Sequence, residues 1–295
     1  MTVRPIEDAD FARLEQAGER TKQFAENAKR SQYYVPEYCF IFEEAGKPMG
    51  AVRFFPDGED ALETMALARP ESITSASAFL AEAIRQAVTP KIRTIGCQLY
   101  NGIADFEDRL HIFCGAGFAV VQEKLSYTYE KETLPPYDNP LHFKSVSEVG
   151  EAAFVDMVAR VTVNTLDSVM AADAARLGDL PAAQAYVDSL KQIEFNPDWW
   201  KLGYDGEACI GLILPQKFHD GVGAINYIGV APEHRGRGYG LPLLMEGTRI
   251  LVSHGVHKII ADIDVANKPL ARQLEQVGYA FKEEEVVLAL NIERE

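Results

Sequence analysis

Residues 230–240 read Val-Ala-Pro-Glu-His-Arg-Gly-Arg-Gly-Tyr-Gly, and they are the most informative part of the second half of the chain. The apolar run 224–230 ahead of it predicts a strand, and the apolar periodicity after it predicts a helix. A glycine turn therefore opens a helix, whose first backbone N–H groups lack internal partners and carry the positive end of the helix dipole. Since Gly236, Gly238 and Gly240 have no side chain, the backbone is accessible to an anion such as a phosphate.

The spacing within the turn separates several kinds of phosphate-binding loop. A Walker loop requires Gly-Lys-Ser/Thr, and a dinucleotide fingerprint requires G-x-G-x-x-G with an acidic residue about 20 positions later. The chain has R-x-x-G-x-G instead, formed by Arg235, Gly238 and Gly240. This pattern resembles motif A of the GNAT superfamily, the acyl-CoA-dependent N-acyltransferases. The alternative is an ordinary glycine-rich turn with solvated arginines.

A second segment carries the same resemblance. Residues 259–265 predict a strand, Asn267 begins a turn, and the helical pattern 270–277 ends at Gly278, a helix-stop residue followed by an aromatic one. This order resembles GNAT motif B. The resemblance implies an α/β fold of the α+β type, with two GNAT-like domains that each have a mixed, mostly antiparallel central sheet flanked by helices.

A proline-rich stretch divides the chain near its middle. Residues 133–140 predict a linker between a first domain, 1–132, and a second domain, 141–295. The first half follows the same order of elements, but residues 71–78 after Pro70 contain no glycine, and Glu71 would repel phosphates. We therefore expect a degenerate GNAT-like domain without a pyrophosphate loop, followed by an acetyl-CoA-binding catalytic domain. The alternative for the first half is an unrelated α/β domain.

The resemblance implies acetyl-CoA as the acyl donor, with its pyrophosphate on the turn and its pantetheine arm along the preceding strand. A backbone N–H of Ile228 or Val230 is then expected to polarise the thioester carbonyl, which requires the strands at 224–230 and 259–265 to separate. The residues implied in binding the donor are Ile228, Gly229, Val230, Arg235, Gly236, Arg237, Gly238, Tyr239, Gly240 and Asn267.

A general base is expected beside this strand pair. Asp262 occupies a position where some members of the family carry a catalytic glutamate, and strand alternation places Asp264 on the same face. Like charge would then raise the pKa of one of the two carboxyl groups. Asn226 and Tyr227 on the preceding strand are further candidates, as is His219 ahead of it. The alternative is that the two aspartates face solvent or cap the next turn.

The general acid is where the chain departs from the family pattern. Many GNAT enzymes carry a tyrosine seven residues after the motif B asparagine, placed to protonate the CoA sulfur. This chain has Leu274 there, which has no proton to donate. Another residue or water protonates the thiolate, or no acid is needed because a thiol is a tolerable leaving group.

The composition of the chain limits the classes of protein to which it can belong. The chain has 295 residues, 47% hydrophobic and 25% charged, which predicts two globular domains. It has no apolar run of membrane-spanning length, no signal-peptide core and four scattered cysteines, so we expect a cytoplasmic location and no metal site. A net charge of −15 disfavours binding to nucleic acid or membranes and favours either a cationic substrate or simply solubility.

Together these features predict an N-acetyltransferase that moves an acetyl group from acetyl-CoA to a primary amine of a small molecule or peptide, working as a monomer or homodimer. A non-catalytic acyl-CoA-binding or interaction module is the alternative from another class. A nucleotide-binding enzyme that uses the glycine turn is a third hypothesis.

Overall fold

The computed structural model describes residues 2–31, 34–68, 70–192, 194–218 and 221–292. The chain forms two compact units, one of Met1–Val121 with Glu285–Glu295 and one of Gln122–Glu284, here called unit 1 and unit 2. These ranges differ from the predicted 1–132 and 141–295, since the C-terminal segment belongs to unit 1.

Unit 1 is built on a mostly antiparallel sheet. Its strands are β1 (Thr2–Pro5), β2 (Cys39–Glu44), β3 (Lys47–Asp57), β4 (Ala61–Ala68) and β5 (Thr94–Tyr100), and its helices are α1 (Asp8–Ala17), α2 (Glu19–Arg30), α3 (Ile73–Ala87) and α4 (Phe106–Gly115). Neighbours from β1 to β4 pair antiparallel, whereas β4 and β5 pair parallel. Successive residues of β2 face opposite sides of the sheet. Phe40 packs in the hydrophobic core that contains α3, and Ile41 packs in the core that contains α1 and α2.

Unit 2 repeats this plan. Its elements are β7 (His142–Ser145), α5 (Val146–Val149), α6 (Glu151–Thr162), α7 (Ser168–Leu177), α8 (Asp179–Lys191), β8 (Lys201–Asp205), β9 (Ala208–Lys217), β10 (Val222–Val230), α9 (Gly240–Ser253), β11 (Lys258–Asp264) and α10 (Lys268–Val277). The pair β10–β11 is parallel, and the pairs from β10 through β9 and β8 to β7 are antiparallel. The predicted class, two domains with mixed and mostly antiparallel sheets flanked by helices, is confirmed.

Two strands explain the unit boundaries. The strand β6 (Ala119–Tyr129) pairs antiparallel with β11 through residues 124–129, so the first half of the chain supplies a strand to unit 2. The strand β12 (Ala280–Asn291) pairs antiparallel with β5 through residues 285–291, so the second half supplies one to unit 1. Each sheet is therefore completed by a strand from the other half of the chain.

The parallel strands of unit 2 part soon after they meet. Pairing is confined to residues 222–224 of β10 and 258–260 of β11, although both strands continue. The register of β10 against β9 also shifts between Ile225 and Tyr227, which makes Asn226 a bulge. Beyond this point the two strands are separated, as the predicted pantetheine site requires.

Three further features concern the cysteines, the helix lengths and the grouping of possible metal ligands. Cys39, Cys97, Cys114 and Cys209 are all free thiols. Within the described ranges no helix combines the length and the apolar character of a membrane span. No group of three or more His, Cys, Asp or Glu side chains is gathered for a metal ion in that part of the chain either. The cytoplasmic location remains a prediction.

Candidate active site

A cavity of about 560 Å³ lies where β10 and β11 separate in unit 2. It is bounded by the end of β10, the glycine turn, the start of α10 and residues 164–166 between α6 and α7. Among the predicted donor-binding residues, those that line it are Ile228, Gly229, Val230, Arg235, Gly236, Gly238, Tyr239, Gly240 and Asn267. Arg237 is exposed on the same turn. The roles of these residues remain predictions, but the fold brings them to one place.

The turn has the conformation that its glycines predict. Gly236 has φ +76° and Gly238 has φ +83°, values in the left-handed region that residues with a side chain rarely adopt. Helix α9 begins at Gly240, and its N-cap residue Tyr239 makes no capping hydrogen bond through its side chain. The first N–H groups of α9 are therefore left without a side-chain cap among the described residues, as an anion site requires.

The side chain of Arg235 is engaged within the protein. Its Nε donates to the carbonyl of Val230 at 2.9 Å, its Nη1 to the carbonyl of Asn164 at 3.0 Å, and its Nη2 to the carbonyl of Val161 at 2.8 Å. A guanidinium has five N–H donors, and these bonds use one on each nitrogen. Arg235 therefore braces the turn against α6, and the exposed arginine beside the turn is Arg237.

Two other predicted donor residues also have packing roles. A Cβ on Gly229 would lie 2.7 Å from Val161, so glycine lets α6 pack directly against β10. The hydroxyl of Tyr239 donates to a carboxylate oxygen of Asp205 at 2.6 Å, which ties the turn to the β8–β9 hairpin. Both contacts fix the position of the backbone that lines the cavity.

A smaller recess of about 50 Å³ lies between the separated strands, and both predicted catalytic aspartates line it. Asp262 is exposed, whereas Asp264 is only 8% exposed. The carboxylate of Asp264 accepts from the Ser168 backbone N–H at 2.8 Å and from the Gln122 amide at 2.9 Å. Asp264 therefore holds the first residue of α7 against β11, and Asp262 is the exposed carboxylate of the two.

The strand candidates are hydrogen-bonded as well. The side-chain amide of Asn226 donates to Oε1 of Gln216, and its backbone carbonyl accepts from the Tyr186 hydroxyl at 3.0 Å. The hydroxyl of Tyr227 lies 3.1 Å from Oγ1 of Thr162, and burial raises the pKa of this phenol. Tyr227 lines both cavities, so it supplies a hydroxyl at the strand separation. His219 lies outside the described residues.

The motif B residues contribute to the structure of α10. Asn267 accepts a hydrogen bond from the Leu270 backbone N–H at 3.3 Å and so caps the helix. Leu274 has no exposed surface and belongs to the core beneath the recess. The position that carries an acid in many GNAT enzymes is therefore apolar in structure as well as in sequence.

The segment 163–167 contains a break between helices that the sequence did not predict. The pattern 148–172 predicts continuous helical periodicity, but the structure breaks it between α6 and α7. Asp167 caps α7 by accepting from the Met170 N–H at 2.9 Å, and burial raises the pKa of its carboxyl group. The pair Asp167-Ser168 ahead of an apolar pattern is an N-cap signal and marks this break in the sequence.

Comparison with known proteins gives a family match in unit 2. Residues 173–279, which contain both motifs, match the model of the Acetyltransferase (GNAT) family. Mycothiol acetyltransferase from Corynebacterium glutamicum is 30% identical over 95 residues, which are 30% of this chain and 32% of that protein. The Corynebacterium aurimucosum protein of the same name is 36% identical over 67 residues, 23% of this chain and 22% of that protein. The chain thus spans about a third or less of the length of these curated relatives.

Solved structures resemble the whole chain in fold. A GCN5-related N-acetyltransferase from Sphaerobacter thermophilus gives a TM-score of 0.61 at 16% identity, with 99% of this chain and 96% of that chain covered. A tandem GNAT protein from the clavulanic acid biosynthesis pathway gives a TM-score of 0.52 at 13% identity, with 100% and 99% covered. Because coverage is nearly complete in both, the similarity of fold extends through both units.

Proposed function

We propose that this chain, whose residues 173–279 match the GNAT family and whose fold resembles that of tandem GNAT proteins, is an N-acetyltransferase that transfers an acetyl group from acetyl-CoA to a primary amine. The observation that carries the proposal is one cavity that joins three features: a left-handed glycine turn, an uncapped helix N-terminus and the separated edge of β10. In this proposal unit 2 alone holds the donor, and unit 1 is a degenerate domain without a pyrophosphate loop.

The proposed donor site follows the shape of CoA. The diphosphate binds the N–H groups at the start of α9, with the exposed Arg237 adding positive charge. The amide groups of the pantetheine arm lie along the part of β10 that has left β11. The backbone N–H of Ile228 or Val230 polarises the thioester carbonyl, which is electrostatic stabilisation of the developing oxyanion.

The proposed reaction is direct attack. Asp262, directly or through a water, takes a proton from the ammonium, and the free amine attacks the thioester carbonyl carbon. A C–N bond forms and the C–S bond breaks; the attacking nitrogen passes its second proton to water, and the thiolate of CoA leaves. Since Leu274 cannot donate a proton, the thiolate is protonated by water or released as such.

The acceptor is expected to be a cation with an apolar portion. The exposed Asp262 places a carboxylate at the recess. Leu166, which is 47% exposed, lines the main cavity on the α6 side and offers an apolar surface. The two kinds of wall together favour an alkyl or aryl primary amine over a highly polar one.

A non-catalytic acyl-CoA-binding module is the second candidate, favoured by the apolar Leu274. Thiol release from acetyl-CoA, measured over a panel of small amines and peptide N-termini, separates the two. We expect turnover with one class of amine in the wild type and none in Gly238→Asp. Tight CoA binding without transfer to any amine would favour the binding module, and tighter binding of ATP or NAD than of CoA would exclude both.

A further inference from the structure

Arg235 connects two walls of the cavity that are distant in sequence. It belongs to the glycine turn, but two of its hydrogen bonds reach the carbonyls of Val161 and Asn164, at 2.8 and 3.0 Å. Val161 lies in the last turn of α6, where backbone carbonyls lack helical partners. The guanidinium therefore caps the C-terminus of α6, where positive charge also complements the helix dipole.

The segment that Arg235 reaches is residues 163–167, here called the α6–α7 loop. Its residues Asn164, Thr165 and Leu166 line the main cavity opposite the glycine turn. Asn164 has φ +52°, a left-handed conformation that is uncommon for a residue with a side chain but that asparagine adopts more readily than most. Its carbonyl is one of the groups that Arg235 binds, so the contact supports this conformation directly.

The other end of the loop is held by a different strand. Asp264 of β11 accepts from the backbone N–H and the hydroxyl of Ser168, the first residue of α7. Between these two anchors Asn164 and Leu166 are exposed. The loop is thus a mostly exposed wall, whose N-terminal anchor is a side chain of the proposed donor turn.

From this geometry we propose that Arg235 is a positioning residue that couples CoA binding to the order of the α6–α7 loop, an inference that rests on the proposed donor site. Diphosphate bound to the N–H groups at 236–240 fixes the turn, and through Arg235 it fixes the carbonyls of Val161 and Asn164. Because such coupling is reciprocal, ordering of the loop by an acceptor also tightens CoA binding. Arg237, two residues away and exposed, serves the anion instead.

Hydrogen exchange on the full chain tests the coupling without knowledge of the acceptor. The probe is CoA itself, and the readout is amide exchange in peptides that cover 161–168 and 235–243. In the wild type we expect saturating CoA to slow exchange in both segments, by about fivefold or more in the α6–α7 loop. Slowing at the turn alone would overturn the inference, and this outcome requires no variant.

Two variants isolate the side chain. Arg235→Lys keeps the charge but cannot bind three carbonyls in one plane, so at saturating CoA it should protect the turn and lose most of the protection in the loop. Arg237→Gln should require a higher CoA concentration than the wild type, but at saturation its loop should be protected from exchange as fully as that of the wild type. Equal loop protection in Arg235→Lys and wild type, or an equal loss in Arg237→Gln, would overturn the coupling. Failure of CoA to bind the wild type would refute the proposed function instead.

Discussion

Units 1 and 2 both contain a pair of parallel strands that separate, yet only unit 2 follows its strand with a glycine turn. In unit 1, β4 and β5 pair only through residues 61–63 and 94–96, and β4 shifts register against β3 just beyond that point. In unit 2, β10 and β11 pair only through 222–224 and 258–260, with the shift at the equivalent place. Strand separation is therefore a property of the repeated fold and does not by itself identify a donor site.

The difference lies at the next helix. Helix α3 of unit 1 is capped by its own residue Ser72, whose hydroxyl accepts from the Ser75 N–H at 3.3 Å, and no glycine lies between Pro70 and this helix. Helix α9 of unit 2 has no such side-chain cap and follows two left-handed glycines. Beyond the cavity of about 330 Å³ at the separated strands of unit 1 there is thus a helix with a side-chain cap, whereas unit 2 has the glycine turn of the proposed anion site.

The largest expected effect is on the turn itself. Gly238→Asp places a side chain on a backbone with φ +83° and adds a negative charge at the proposed diphosphate site. We expect CoA affinity to fall about 1,000-fold, which corresponds to about 4 kcal/mol of binding free energy. Titration calorimetry measures the affinity and the number of CoA molecules bound.

The matched control for this variant lies in unit 1. Gly58, in the β3–β4 turn, has φ +73° and similar open space, so Gly58→Asp carries the same backbone strain and the same charge. It should leave CoA binding unchanged, at one molecule per chain. One CoA still bound tightly to Gly238→Asp would place the donor in unit 1 and invert the comparison between the units.

The next largest effect is expected at Asp262, where a substitution should change the rate of transfer but not the binding of CoA. Asp262→Asn removes the exposed carboxylate at the recess and keeps its shape. With an amine identified from the panel, we expect kcat to fall about 100-fold, a typical contribution of general-base catalysis, with CoA affinity unchanged.

The control for this variant is Gln98, which is the equivalent position on β5, since Gly96 pairs with β4 as Ile260 pairs with β10. Gln98→Ala should leave kcat unchanged, and an equal kcat in Asp262→Asn would remove this residue from the role of base.

A smaller effect concerns the exposed arginine of the turn. Arg237→Gln removes one charge near the proposed diphosphate, and we expect CoA affinity to fall about tenfold at low salt and less at high salt. The control is Arg20→Gln, the same change at an exposed position of α2 in unit 1. Equal affinity of the two variants for CoA would show that Arg237 makes no contact with the donor.

The sequence predicted the central features of unit 2, because they depend on local chemistry. Left-handed glycines, an N-cap asparagine and a helix stop at Gly278 each have a short-range signature. The exchange of β6 and β12 between units was not predicted, because alternation of apolar residues tells which face of a strand is buried and not which strand lies beside it.

The hydrogen bonds that Arg235 and Asp264 make within the protein were also not predicted from the sequence. Each side chain bonds to a backbone group distant in the chain, and only the packing of α6 and α7 against the sheet brings those groups near. The break at 163–167 carried a weaker signal, since β-branched residues lie at its start and the Asp167-Ser168 pair at its end, without any glycine or proline. The N-cap pair was therefore the only available marker of that loop.

The smallest effect lies in unit 1, at a position where the two repeats differ in charge. Glu63, the last residue of β4 paired with β5, corresponds to Ala224 of β10. Burial, with Asp57 and Glu285 nearby, raises the pKa of Glu63 from 4.5 to about 7. Between these two pH values the folded chain keeps the proton on Glu63, whereas the unfolded chain has lost it. The stability contributed by the protonated carboxyl group is therefore complete below pH 4.5 and is lost as the pH rises through about 7.

Glu63→Gln should remove this loss of stability at high pH. Because the carboxyl group is partly exposed and screened, we expect the variant to gain about 1 kcal/mol in the free energy of unfolding at pH 8 and little at pH 4. Denaturant titration at the two pH values measures the difference, with Glu59→Gln, an exposed glutamate of the β3–β4 turn, as control. An equal gain at both pH values would mean that the amide acts through packing against Gly96 rather than through the charge. A gain confined to pH 8 would show that unit 1 carries a partly buried charge at this position, where unit 2 has alanine.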